Sequence, residues 1–150
     1  MFRERVFIVV KTYKMSDFQK VVIKKFPPPP CDTTMKVTIH EASDGVAHGS
    51  WQVDRSYLNG NGVAMGGFLS SAADIVMAYA ISSKLTDCQG FASINLDTTF
   101  HRPTVEGKVD VSAVVESQGR TLAYVVAELK QHNKKVATCT SSLFIEQREE

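Results

Sequence analysis

The stretch from Gly66 to Leu85 constrains the fold more than any other part of this sequence, because apolar residues cover nearly its whole helical circumference. A helix that is apolar on all sides must be buried on most of its surface. At about 20 residues, such a helix is roughly 30 Å long, enough to cross a small domain. The rest of the chain therefore has to supply a layer that surrounds it.

Six alternating segments can supply that layer, two before the helix and four after it. In each of them apolar and polar residues alternate, which is typical of strands with one buried face. Gly119-Arg120 and Asn133-Lys134 mark tight connections between the last three strands. We therefore predict an α+β fold, with an antiparallel sheet of about six strands wrapped around one long central helix. The predicted strands are 34–42, 46–54, 91–101, 107–116, 121–130 and 136–146.

The first 30 residues are predicted to form an extension ahead of a single domain over residues 31–150. Residues 16–25 have the apolar spacing of a short helix with Ser16 as its N-cap, and the prolines from Pro27 to Pro30 end it. Residues 1–14 contain an apolar run that is too short for the core of a signal peptide, which needs about 7–15 residues. Three interpretations stay open: a short peripheral extension, a mitochondrial presequence, and a true start at Met15.

Composition excludes several classes of function. Lys plus Arg number 17 and Asp plus Glu 16, so the chain lacks the basic excess of a general nucleic-acid binder. Three cysteines without a CxxC pair indicate neither a disulfide framework nor a zinc site, and we expect no metal. No apolar run reaches the roughly 18 residues of a membrane span. We expect a cytoplasmic protein, or a mitochondrial one if the first 14 residues are a presequence.

Asp74 is the only acidic residue of the apolar helix. Because an isolated buried carboxylate is costly, this residue is a candidate general base or nucleophile with a raised pKa. The alternative is a structural carboxylate that is satisfied by Ser70 or Ser71, one turn back.

The helix opens with Gly66-Gly67, a sequence that leaves its first N–H groups uncrowded by side chains. Such an end suits an anion or a polarised carbonyl oxygen. Alternatively, the glycines only permit tight packing or a positive φ. The loop before them has the spacing GxGxxxG and lacks a parallel βαβ context, so it does not indicate a dinucleotide site.

Gly67 and Asp74 are seven residues apart, so they share a helix face but lie about 10.5 Å apart along the axis. One small carbonyl group cannot contact both. If both act in one reaction, a second, antiparallel copy of the helix must bring its Asp74 to the first copy's Gly67. The spacing therefore predicts a site shared between subunits.

The pattern of these residues resembles the small hotdog-fold acyl-CoA thioesterases, including the phenylacetyl-CoA type and the mammalian thioesterase-superfamily type. The resemblance runs from about residue 34 to residue 145. It implies hydrolysis of acyl-CoA thioesters to the free acid and CoA, with no cofactor beyond the CoA of the substrate. It also implies a homodimer, assembled as a dimer of dimers, that is, a homotetramer. The residues that carry it are Asn59, Gly66-Gly67, Asp74, Ser93 and Phe100-His101-Arg102-Pro103.

The resemblance assigns a role to each of four catalytic candidates. Asn59 resembles the side-chain amide that helps hold the thioester carbonyl, and Gly67 the helix-terminal donor of the oxyanion hole. Asp74 resembles the carboxylate that activates or positions water, and Ser93 the hydroxyl that orients this water. Whether the carboxylate acts on water or as a nucleophile stays open.

Substrate-binding candidates surround these residues. Gly66 and Met65 lie beside the oxyanion donor; Met65 stands where the family often has a histidine, which removes one hydrogen-bond donor near the thioester. Arg102 and Arg120 resemble basic positions near the family's nucleotide groove and are candidates for the CoA phosphates. Their alternative is ordinary surface charge.

Two other classes of function remain as alternatives. A hotdog hydratase or dehydratase pairs its carboxylate with a catalytic histidine near the active-site loop, and no histidine occurs between Asn59 and Asp74. A non-enzymatic acyl-CoA sensor or carrier would share the fold without turnover. The sequence does not determine acyl-chain preference or pathway.

Overall fold

A curled antiparallel sheet wraps around one long helix in the computed structural model, which describes residues 11–149. The sheet order is β1-β2-β5-β6-β7-β3, and β4 pairs with β7 beside β3. This arrangement confirms the predicted architecture. The helices are α1 (Met15–Val22), α2 (Pro30–Met35) and α3 (Gly66–Ser82), with a short 3-10 turn at Arg55–Tyr57. The strands are β1 (Val37–Ser43), β2 (Val46–Val53), β3 (Gln89–Ser93), β4 (Asp97–Phe100), β5 (Gly107–Gln118), β6 (Leu122–Gln131) and β7 (Lys134–Gln147).

The central helix α3 forms the middle of the core, as predicted, but it ends earlier than residue 85. Its last regular residue is Ser82, whose hydroxyl donates to the Tyr79 carbonyl oxygen at 2.9 Å. Beyond it, the Lys84 and Leu85 amides bond three residues back, which tightens the chain into turns. No helix in the described part of the chain is long and apolar enough to cross a membrane.

The strand predicted over residues 34–42 begins only at Val37. Pro30 occupies the first turn of α2, where its fixed φ suits a helix. This helix continues to Met35 and ends at Lys36, which has a left-handed φ of 57°. Residues 34 and 35 therefore belong to a short helix rather than to the sheet.

The single strand predicted over residues 91–101 is two strands, β3 and β4, separated by a break around Asn95. The Asn95 side-chain oxygen accepts from the Ser142 amide at 2.9 Å, and its carbonyl oxygen accepts from the Ser141 hydroxyl at 2.8 Å. These bonds satisfy polar groups of β7 and of the break where the regular pairing is interrupted. Both halves still pair with β7.

The N-terminal helix differs from its prediction at both ends. Its N-cap is Lys14 rather than Ser16, because Ser16 instead binds Asp87 through its amide and its hydroxyl, both at 2.8 Å. It ends at Val22 rather than residue 25, and Lys24 has a left-handed φ of 60°. The division into residues 1–30 and 31–150 stays a prediction, and most of the suggested presequence lies outside the described residues.

The β6–β7 hairpin turns one residue earlier than the predicted Asn133-Lys134. His132 and Asn133 both have positive φ, 52° and 61°, and Lys134 already belongs to β7. Two consecutive left-handed residues form the type I′ turn that matches the twist of a hairpin.

Candidate active site

Asp74 projects from the middle of α3 into a cavity of about 350 Å³. Its side chain is exposed in the single chain, yet the surrounding protein displaces enough water that burial raises the pKa of its carboxyl above 3.8. A hydrogen bond from the Ser93 hydroxyl acts in the opposite direction and lowers this pKa in part. Asp74 thus combines access to a ligand with a pKa that burial raises, which is typical of carboxyls that exchange protons in active sites.

Ser93 reaches this cavity from the last position of β3. The strand ends there because the chain breaks toward Asn95, and the hydroxyl stays beside Asp74. Two of the residues matched to the family from sequence therefore lie together in the structure.

The serines that could have satisfied Asp74 have other partners. The Ser70 hydroxyl is 2.6 Å from the Thr98 hydroxyl and 3.4 Å from the Gly66 carbonyl oxygen. The Ser71 hydroxyl donates to the Gly67 carbonyl oxygen at 2.9 Å. The alternative from the sequence, a structural carboxylate bound by Ser70 or Ser71, is therefore not observed, since both hydroxyls bind other groups.

The two glycines at the start of α3 have different surroundings. A side chain at Gly66 would meet the Phe100 ring at 2.6 Å, so this glycine permits tight packing. A side chain at Gly67 would meet only the end of Met65 at 3.4 Å, and the φ of Gly67 is not positive. No residue of the described chain accepts a hydrogen bond from the Gly67 amide, which belongs to the first turn of the helix. Gly67 therefore presents an open backbone donor.

Asn59 is held by a compact loop ahead of α3. Its amide donates to the Val63 carbonyl oxygen at 2.8 Å, and its own carbonyl oxygen accepts from Gly62 at 3.0 Å. Its side-chain oxygen accepts from the Asn61 amide at 2.9 Å, which forms an Asx turn. This turn orients the carboxamide through its oxygen and leaves the two N–H donors of Nδ2 for a ligand.

Met65 is the N-cap of α3, and its side chain is 46% exposed. Its amide donates to the Tyr57 carbonyl oxygen at 2.9 Å, which fixes the backbone while the thioether stays at the surface. The side chain at the family's histidine position therefore lies next to Gly67.

Arg102 and Arg120 lie far apart in one chain. Arg102 lines a cavity of about 430 Å³ together with Gly66, and its guanidinium donates to the Lys135 carbonyl oxygen at 2.7 Å. Arg120 lies in the β5–β6 turn, beside the opposite end of β7. From residue 136 to residue 145, β7 spans roughly 30 Å. One bound nucleotide could contact both arginines only if they came from different chains.

The Asp74 cavity also contains residues that the sequence did not single out. Phe18 of α1 and Phe91 of β3 form aromatic walls, and Asp32 and Tyr79 add a carboxyl and a phenol. Tyr79 is the only polar aromatic residue of the apolar helix, which was a visible signal. Nothing in the sequence indicated Asp32, because only the tertiary fold places residues next to the Pro-rich connector against α3.

Within residues 11–149, no cluster of three or more His, Cys, Asp or Glu side chains is placed to hold a metal ion. The absence of a cofactor stays a prediction.

Comparison with known proteins decides the family. The family model described as "Thioesterase superfamily" matches residues 61–138, just over half of the chain. The chain belongs to the thioesterase superfamily. Membership supports acyl thioester hydrolysis as the general reaction, and the predicted hotdog fold is confirmed. A search of curated proteins found no match.

Solved structures agree with this thioesterase fold. A phenylacetic acid degradation-related protein from Ralstonia eutropha is 30% identical, with a TM-score of 0.80 over 85% of this chain and 98% of that one. A variant of the phenylacetic acid degradation protein PaaI from Thermus thermophilus is 25% identical, with a TM-score of 0.72 over 77% and 98%. The PaaI protein of E. coli, 23% identical, shares the fold with a TM-score of 0.75 over 92% and 97%.

Proposed function

We propose that this thioesterase hydrolyses acyl-CoA thioesters to the free acid and CoA, with Asp74 as the base that activates water. The observation that carries the proposal is the Asp74 carboxyl itself. It faces a cavity, has a raised pKa caused by burial, and has the Ser93 hydroxyl beside it. A carboxylate with these properties can accept a proton from water at neutral pH.

The reaction then needs donors for the oxygen that becomes negative. The open Gly67 amide and the Nδ2 group of Asn59 are suited to this task, and such donors contribute about 3–4 kcal/mol each in well-studied enzymes. Water attacks the thioester carbon while Asp74 takes one of its protons and Ser93 orients it. When the tetrahedral intermediate collapses, the C–S bond breaks and the proton from Asp74 goes to the CoA sulfur. Each turnover consumes one water and restores the carboxylate.

A shared site follows from the positions of these groups. The Asp74 cavity and the Gly66 cavity have no lining residue in common within one chain. We propose a homodimer in which α3 of one subunit supplies the oxyanion donors and α3 of the other supplies Asp74. We also propose that two such dimers pair into a dimer of dimers. Arg102 and Arg120 would bind the CoA phosphates, and the protein would be cytoplasmic.

A panel of CoA thioesters, with free-thiol release as the signal, tests this function. Wild-type protein should hydrolyse at least one member, and Asp74→Asn should reduce turnover by about 10²-fold or more, as expected for loss of a general base. Asp110→Asn, at an exposed carboxylate on β5 outside the Asp74 and Gly66 cavities, is the matched control and should keep its activity. Melting temperatures should show that both variants fold.

Two results would contradict the proposal. Near-normal turnover by a folded Asp74→Asn variant would remove the catalytic assignment. Binding of acyl-CoA without release of thiol by the wild type would instead support a sensor or carrier.

A further inference from the structure

A buried carboxyl–phenol pair lies at the inner side of the Asp74 cavity. The Tyr79 hydroxyl donates to one oxygen of Asp32 at 2.5 Å, and the two residues are 1% and 3% exposed. Both residues also line a second cavity of about 490 Å³, on the side of α1 and β1. The pair therefore forms the boundary between the space next to the catalytic carboxylate and a further space behind it.

The other oxygen of Asp32 has little to bind within the protein. It lies 3.5 Å from the Cys31 thiol, which is a weak donor, and the only other donor to this carboxyl among residues 11–149, apart from Tyr79, is the amide of Asp32 itself. No salt bridge to Asp32 occurs within residues 11–149. Burial raises the pKa of this carboxyl, and the bond from Tyr79 only partly offsets the effect. A carboxyl in this setting is stabilised by any further donor that enters the cavity.

A wholly hydrocarbon acyl chain is a poor occupant of this space. It would fill the space beside Asp32 without offering a donor to the carboxyl oxygen, and a buried acceptor without a good hydrogen-bond partner costs free energy. A hydroxyl on the chain would restore that bond. Sites built to bind a substrate hydroxyl reject the analogue that lacks it more strongly than apolar sites reject an extra methylene.

The position of the pair indicates where such a hydroxyl would lie. Tyr79 is five residues after Asp74 on α3, a rise of about 7.5 Å along the helix. A hydroxyl next to the thioester would be too close to Asp74 to reach the pair. The second cavity has aliphatic walls, among them Val21, Val22 and Ile39, which suit the methylene groups of a flexible chain.

We infer that Asp32, held by Tyr79, is a specificity-determining residue that binds a hydroxyl several carbons from the thioester on a straight-chain acyl group. This rests on the proposed function, since it names the substrate class of the same site. Asp32 contacts the substrate away from the reacting atoms, so its substitution should change discrimination between acyl groups more than the chemical step.

The test measures binding of non-hydrolysable CoA thioethers, so its result does not depend on turnover. Paired analogues of graded chain length, with and without a distal hydroxyl, are titrated into wild type, Asp32→Asn and Asp32→Leu. We expect wild type to bind the best hydroxylated analogue at least tenfold more tightly than its hydrocarbon partner. Asp32→Leu should lose this preference, and Asp32→Asn, which keeps an acceptor oxygen, should retain part of it.

Tyr57→Phe is the matched control, because Tyr57 is also a buried phenol that donates a hydrogen bond, to the Thr34 carbonyl oxygen at 2.9 Å. It lies outside both cavities, so its loss should affect stability and leave the preference unchanged. Equal binding of both analogues by the wild type at every chain length would overturn the inference. So would a preference that survives in folded Asp32→Leu, or one that is undiminished in Asp32→Asn.

The same proteins separate this inference from the proposed function. If the analogues bind with the expected preference but no thioester is hydrolysed, the proposed function fails and the hydroxyl site stands. If thioesters are hydrolysed without any preference for a distal hydroxyl, only the inference fails.

Discussion

Gly66 and Asp74 lie on the same helix, but they line two different cavities that share no residue. Asp74 is eight positions after Gly66 in α3, a rise of about 12 Å along its axis. A thioester held at the start of this helix is therefore out of reach of the same chain's Asp74. This separation makes the oligomer part of the catalytic argument.

The raised pKa of Asp74 predicts the acid side of the pH–rate profile. Asp74 works as a base only when ionised, so activity should fall as the pH drops through its raised pKa. The midpoint of kcat/KM against pH, which reports the free enzyme, should therefore lie above the ordinary value of 3.8. Steady-state rates across a pH series, with a stability check at each pH, measure it. A profile that stays flat down to the ordinary value would contradict a burial-shifted base.

Ser93→Ala should lower kcat and move this midpoint to higher pH. The Ser93 hydrogen bond stabilises the ionised carboxylate and lowers its pKa, so its removal leaves the effect of burial less opposed. The displaced midpoint separates this role from a merely structural one, which would not shift the profile. Ser117→Ala, at an exposed serine on β5, should leave both quantities unchanged.

Met65→His should keep activity within about tenfold, equivalent to roughly 1.4 kcal/mol. The Met65 side chain is 46% exposed, and the N-cap is held through its backbone, so an imidazole fits without repacking the core. Met65→Leu serves as the control for loss of the thioether. Complete inactivation of a well-folded Met65→His would show that this loop is arranged differently from the family's.

Arg102→Ala and Arg120→Ala should raise KM for acyl-CoA and leave kcat nearly unchanged, because phosphate contacts bind the ground and transition states equally. KM and kcat for a pantetheine thioester, which lacks the nucleotide, should be unchanged by both substitutions. Arg55→Ala is the control, since its guanidinium is exposed and forms a surface ion pair with Glu106. Equal losses on the truncated substrate would count against a role in binding CoA phosphates.

Periodicity alone predicted the sheet and the buried helix, because alternation in β2 and continuous apolar character in α3 depend on local spacing. In β2, for example, Ala47 and Trp51 are fully buried, as their shared face requires. The break at Asn95 could not be predicted, because it depends on bonds to Ser141 and Ser142 that are distant in sequence. The short helix that begins at Pro30 was also missed, because its last residues, 34 and 35, continue the alternating pattern of the following strand.

The residues of the candidate site were likewise predictable only in part. Asp74 was visible as a lone charge among apolar neighbours, and its separation from Gly67 followed from helix geometry. Ser93 was identified only through resemblance, since an isolated serine on a strand carries no pattern of its own. Asp32 enters the cavity only because α1 and α2 fold back onto α3, a tertiary contact that no local spacing encodes.

Mixed dimers test the shared site directly. If Asn59 and Gly67 of one subunit serve Asp74 of the other, Asn59→Ala and Asp74→Asn homodimers should each be nearly inactive. In a symmetric mixed dimer, one site collects both defects and the other collects neither. Random mixing makes about half of the dimers mixed, each with one intact site, so roughly a quarter of wild-type activity should return. Co-expression with two different tags allows the mixed species to be isolated free of wild-type protein. A purified mixed dimer as inactive as its parents would mean that Asn59 and Asp74 act from the same chain, or that one of them is not catalytic.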